Sequence, residues 1–175
     1  GIVTTIKKGR FEFDTGLYDL LDYGSEEHVG SLQRIFKKFG LDIDTISIPY
    51  NIRIKSLDEK FDEVIKGDID DWILRLEELY SGSMSTFRSL LPVLKEIDEA
   101  LNLLKKGKKD SLKDFPNFIK YLDKNAYEAL VDLNLPTETI HVLGYLWIEI
   151  GSPLNKLSFI DFAEFMYKYI FKRAV

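Results

Sequence analysis

The chain has 175 residues, 45% of them hydrophobic and 30% charged, with a net charge of −5 and no cysteine. That is one domain's length, or one domain with a small appendage, and an ordinary globular composition. It is too apolar for intrinsic disorder, too poor in Gly and Pro for a collagen-like fibre, and without Cys it has no disulfide framework, thiolate nucleophile, Cys-ligated zinc or iron–sulfur cluster.

Charge is segregated along the chain. Residues 1–55 carry 8 basic and 8 acidic side chains, and residues 56–100 carry 5 and 12. Residues 101–124 then carry 7 and 3, and residues 125–175 carry 4 and 6. An acidic block is therefore followed directly by a basic one.

The first residues read as a hairpin. Ile2–Ile6 is β-branched throughout, Lys7-Lys8-Gly9 supplies a turn, and Arg10–Phe13 alternates. Thr15–Tyr23 and Ser25–Phe39 read as helices; Leu32, Ile35, Phe36 and Phe39 keep helical spacing and Gly40 offers a stop. In Thr45–Ile54 apolar residues alternate strictly, with Pro49 on the other parity, which predicts an edge strand or two short ones.

From residue 56 the helical signal strengthens. Ser56–Glu59 has the form of a capping box, and Leu57, Phe61, Val64 and Ile65 make a stripe ended by Gly67. Ile69, Trp72, Ile73, Leu76, Leu79 and Tyr80 form the face of a second helix, broken at Ser81–Ser83. Met84, Phe87, Leu91, Leu94, Ile97, Leu101 and Leu104 then predict one long helix, kinked at Pro92 and ended by Gly107. Further helices are expected at Ser111–Leu122, at Asn125–Leu133 behind an Asn cap, and at Thr137–Ile150. The last runs from a cap at Ser158 to about Lys172. Short loops favour antiparallel neighbours. The expected fold is mainly α: an antiparallel bundle of about five to six helices with a small N-terminal α+β portion, a hairpin plus one edge strand. The candidate boundary lies near residue 55, giving 1–55 and 56–175, unless the two form one continuous domain.

Catalytic constellations are scarce. Glu138 and His141 form one E-x-x-H, whereas a di-iron bundle needs two such motifs and two further carboxylates. The plainer reading places Glu138 in a first turn, where the helix dipole favours it, and His141 at a polar edge. His28 lies at a helix start with no nucleophile context around any Ser. Asp68–Asp71 resembles the start of a calcium loop but lacks the Gly and Glu that complete one. The acidic residues between 58 and 78 read better as a solvated helix face. No glycine pattern cradles phosphate.

Two segments remain as candidate recognition surfaces. Lys105, Lys106, Lys108 and Lys109, extended by Lys113 and Lys120, suit a polyanion, but the run has no Arg to read bases and no interleaved aromatics. The C-terminal helix is apolar around most of its circumference and rich in aromatics, among them Phe162, Phe165 and Tyr169. Such a helix must be nearly surrounded, by its own bundle, by a partner or, least favoured, by a membrane surface.

The sequence therefore predicts a non-catalytic protein-interaction or assembly module that presents apolar and charged helix faces, with no cofactor and no metal. The partner-binding candidates are Phe162, Phe165, Tyr169, Lys105, Lys106, Lys108 and Lys109. A protein partner or self-association is expected. The alternative is a nucleic-acid-associated regulatory or accessory protein acting through Lys105–Lys113. No apolar run approaches the roughly 20 residues of a membrane span and no signal-peptide pattern is present, so a cytoplasmic location is expected. A chain starting at Gly1 rather than Met is expected to have lost a tag or an upstream region.

Overall fold

The computed structural model describes residues 4–14, 23–24, 29–46, 50–56, 61–66, 69–146 and 150–171. The predicted helix at Thr15–Tyr23 falls almost wholly outside them, and His28 lies outside them. The chain divides into two compact units, one holding Gly1–Ile48 and the other Pro49–Phe171.

In the first unit, β1 (Thr5–Lys8) and β2 (Phe11–Asp14) form the expected antiparallel hairpin, with Gly9 in the turn at positive φ. Helix α1 covers Ser31–Lys38, a shorter span than its periodicity predicted. Val29 is instead bridged to Gly24, and the Gly30 amide donates to the Tyr23 carbonyl at 2.9 Å. The helix ends where Gly40 was expected to stop it. The Gly40 amide donates to Lys37 and the Leu41 amide to Phe36, a pair of bonds that needs a left-handed residue between them.

The second unit opens with a departure from expectation. Residues Tyr50–Ser56 form β3 and Phe61–Lys66 form β4, paired antiparallel, where a helix beginning at a Ser56 cap was expected. So there are two hairpins among the described residues, rather than one hairpin and one edge strand. Cross-strand chemistry accounts for the outcome: Arg53 makes a two-pronged ion pair with Asp62 at 2.7 and 2.9 Å, and Lys55 reaches the same carboxylate at 3.2 Å. Opposite charges on facing strands favour pairing over the helix that the local spacing allows. The register puts Ile54 and Glu63 on one face and Arg53, Lys55, Asp62 and Val64 on the other. Ile54 is buried, and the residues on the other face are exposed.

Seven α-helices are described in all. After β4 come α2 (Ile69–Leu79) and α3 (Ser83–Lys105). Helix α3 runs unbroken through Pro92, as its long stripe predicted. Pro92 is exposed, so the carbonyl of exposed Arg88 that loses its amide partner lies on the solvent side, where water substitutes for it. The α2–α3 turn is fixed by Glu77, whose carboxylate accepts from the backbone amides of Gly82 at 3.1 Å and Met84 at 2.7 Å. Those amides are unpaired donors of the α3 N-terminus, and Glu77 supplies the cap that Gly82 lacks. The same bonds hold the Glu77 carboxyl below its usual value of 4.5, Met84 first and Gly82 second, against a small opposing effect of burial. A depressed folded pKa gives stability that is full above the unfolded value and lost as pH falls through the folded one. Acid titration of Glu77→Gln, followed by circular dichroism below about pH 5, should therefore be flatter than that of the parent chain; parallel curves would contradict this cap.

Helix α3 ends at Gly107 as expected. The Gly107 amide donates to Leu104 at 2.9 Å and the Lys108 amide to Leu103 at 3.0 Å, closing the helix around a residue with φ of 74°. A 3-10 turn (Lys109–Asp114) leads into α4 (Pro116–Tyr121), where a single helix from Ser111 to Leu122 was expected. Pro116 accounts for the difference: it keeps Phe115 extended, at φ −118° and ψ 76°, and restarts the helix at its first position. Ile119 and Leu122 are about half exposed.

Helices α5 (Ala126–Asp132), α6 (Thr137–Gly144) and α7 (Phe159–Phe171) complete the unit. The Asn125 cap of α5 forms as predicted, and Glu128 completes a capping box: the Glu128 amide donates to the Asn125 side chain and the Asn125 amide to Glu128. The Ser158 hydroxyl accepts from the Ile160 amide at the start of α7. The two helix starts are joined by backbone bonds, Ala126 to Leu157 at 2.8 Å and Phe159 to Lys124 at 2.9 Å.

The core lies around α3. Phe87, Leu90, Leu94, Ile97 and Ala100 are wholly buried, and α3 packs chiefly against α7 and next against α2 and α4. Tyr121 and Phe159 meet edge to face at 4.9 Å between ring centres, and Phe159 stacks on Phe162 at 6.0 Å. Each such side chain contributes about 1.5–3 kcal/mol by leaving water. One polar pair sits within the core: the Ser83 and Thr139 hydroxyls are 2.7 Å apart, and Ser83 also donates to the Tyr80 carbonyl at 2.6 Å.

Candidate functional site

The C-terminal helix buries Phe159 and Phe162 within the chain. Phe162 is wholly buried, beside Phe159, Ala163 and Met166, so its ring belongs to the α3–α7 core and offers no surface to a partner. Phe165 is half-buried, and the Tyr169 side chain lies outside those described. Of the three surroundings that the sequence left open for this helix, its own bundle supplies the cover for Phe159, Phe162 and Met166.

The lysine run is also partly engaged. Lys105 pairs with Glu164 of α7 at 2.7 Å, and Lys168 pairs with the same carboxylate oxygen at 2.5 Å. Burial works against ionisation of Glu164, but the two ammonium groups outweigh it and lower its pKa. Lys120 donates to the Tyr121 hydroxyl at 2.9 Å. Lys106 and Lys108 are exposed at the α3 C-terminus, where positive charge complements the helix dipole. The Lys109 side chain lies outside those described.

Glu138 and His141 are both exposed on α6, with His141 in its last turn. Among the described residues no group of three or more His, Asp or Glu side chains is placed to hold a metal ion. No described helix is long and apolar enough to cross a membrane.

A groove with a volume of about 520 Å3 lies elsewhere in the second unit, between β4 and α2. Asp62, Glu63 and Val64 line one wall, and α2 residues from Asp71 to Leu79 line the other. Its base is apolar, formed by buried Trp72 and Leu76, and Val64 and Leu74 stand about half exposed at its sides. Four carboxylates line it, Asp62, Glu63, Asp71 and Glu78, together with the Arg75 guanidinium, and Arg53 and Lys55 of β3 pair with Asp62 from outside the groove. That guanidinium spans the groove, bonding Glu63 of β4 at 2.9 Å and Glu78 of α2 at 2.7 Å. The two carboxylates raise the pKa of Arg75, so it stays charged at any ordinary pH. Asp62 is pulled down to about 2, chiefly by its hydrogen bond to Arg53, so its charge is equally permanent.

Sequence reasoning identified the acidic block but assigned it to a solvated helix face. The groove arises because Asp62 and Glu63 of that block lie on a strand, so strand and helix carboxylates converge on a shared apolar floor. The strict alternation leading into Ile54 was the available signal that a strand partner had to be found.

A smaller groove of about 440 Å3 is lined by Tyr127, Ile140, His141, Tyr145 and Leu154 among others. In the first unit, Ile6, Phe11 and Phe13 are each more than half exposed, on one face of the β1–β2 hairpin by its register.

No family model matches the chain, and no curated protein and no solved structure is significantly similar to it.

Proposed function

We propose that the protein is a non-catalytic interaction module that binds a basic, apolar-bearing segment of another protein in the β4–α2 groove. The observation that carries this reading is the groove itself: exposed Val64 and Leu74 over a buried Trp72 and Leu76 floor, within walls whose four carboxylates outnumber by one the cations Arg53, Lys55 and Arg75 that pair with them. Exposed apolar surface of this kind marks binding sites, and complementary charge selects among partners. A second copy of the same groove carries the same excess of carboxylates and is repelled, so the charge pattern favours a different protein over symmetric self-association.

The test is a fluorescence-anisotropy titration with an octapeptide alternating lysine and valine, against its glutamate–valine counterpart. The lysine peptide should bind and the glutamate peptide should not. Glu78→Lys adds a second positive charge beside Arg75 on an exposed position, and should weaken binding roughly tenfold. Equal binding of both peptides, or indifference to Glu78→Lys, contradicts the proposal. Binding of a single-stranded oligonucleotide that is lost in the Lys106→Gln/Lys108→Gln double variant would instead move the function to the basic segment.

A further inference from the structure

The same groove specifies how its occupant is held. Three consecutive β4 residues, Asp62, Glu63 and Val64, line it. By the strand register, Glu63 shares the inner face with Ile54, whereas Asp62 and Val64 are on the outer face. Side chains from both faces of a strand meet in one groove only along the strand's edge, where its backbone amides and carbonyls also lie. Among the described residues β4 pairs with β3 alone, so its other edge has no strand neighbour. Helix α2 forms the opposite wall, and Arg75 reaches across from it to Glu63.

We infer, building on the function proposed above, that the occupant binds as an added strand: an extended, lysine- or arginine-bearing segment of the partner pairs its backbone with the free edge of β4 and lies against α2. Main-chain bonds supply register and part of the affinity, and alternate side chains face the carboxylates and the apolar floor. A two-stranded sheet is marginal in water, and a third strand completes it. The charged pair at 62–63, held by Arg53, Lys55 and Arg75, also guards the edge, since charged edge strands resist pairing with identical chains.

A scan of single N-methyl groups along the lysine–valine octapeptide tests the inference on the intact protein. In an added strand only every second peptide amide faces β4. N-methylation should therefore weaken binding at alternate positions, by roughly three- to tenfold, the worth of one net hydrogen bond. The intervening positions should tolerate the methyl group. A flat profile, or losses recurring every three to four residues as for a bound helix, overturns strand addition. If that profile comes with binding that remains sensitive to Glu78→Lys, the groove reading survives and only the mode of binding fails. If the parent peptide does not bind, both fail. Because the methyl groups sit on the peptide, the scan itself depends on no variant protein folding.

Discussion

Phe162→Ala should lower the unfolding free energy by about 3–5 kcal/mol, the cost of a large-to-small change at a fully buried aromatic. The Phe162 ring is wholly buried, stacks on Phe159, and lies where α7 crosses the α3 core. Its removal forfeits the transfer energy of the ring and leaves a cavity that stacked neighbours cannot fill. Urea unfolding at neutral pH reads the effect as a lower midpoint at nearly unchanged slope. A change below about 1 kcal/mol would mean that the ring is not packed in the core, and would return this helix to the candidate partner surfaces.

Glu96→Ala carries the second large effect. The Glu96 carboxylate on α3 accepts from the Asn117 backbone amide at 2.6 Å and from the Asn117 side-chain amide at 2.5 Å. It also takes a longer bond from the Phe118 amide at 3.4 Å. These are free donors of the α4 N-terminus, so one carboxylate caps a helix that begins 20 residues later in the chain. Alanine leaves them without a partner, and a hydrogen bond to a charged group is worth about 1.5–3 kcal/mol. Loss of that order is expected in urea unfolding, with hydrogen exchange accelerated first at residues 117–121. Exchange that rises evenly across the second unit would contradict a local cap.

These two sites mark what the chain reveals and what it hides. The Asn125–Glu128 box, the Gly40 and Gly107 stops and the passage of α3 through Pro92 are local, and each was legible because its physics is complete within a few residues. Glu96 capping Asn117 and Glu77 capping Gly82 and Met84 were not, since a carboxylate inside a helix gives no sign of a partner beyond it. The β3–β4 hairpin shows local signals misleading outright. Phe61, Val64 and Ile65 keep helical spacing, but Arg53 and Lys55 meet Asp62 across the strands, and pairing overrides the local preference. The groove was hidden for the same reason: its acidic residues were visible, but their convergence depends on β4 being a strand. The aromatic C-terminal helix, conspicuous in sequence, is core at Phe159, Phe162 and Met166.

Binding at the β4–α2 groove is tested most directly by a titration of the isotopically labelled full chain with the lysine–valine octapeptide, followed through backbone amide shifts. Shifts that saturate and concentrate in residues 61–66 and 69–79 are predicted. Shifts centred on residues 105–113, on the 5–14 hairpin, or on the groove around Tyr127 and Tyr145 would contradict it.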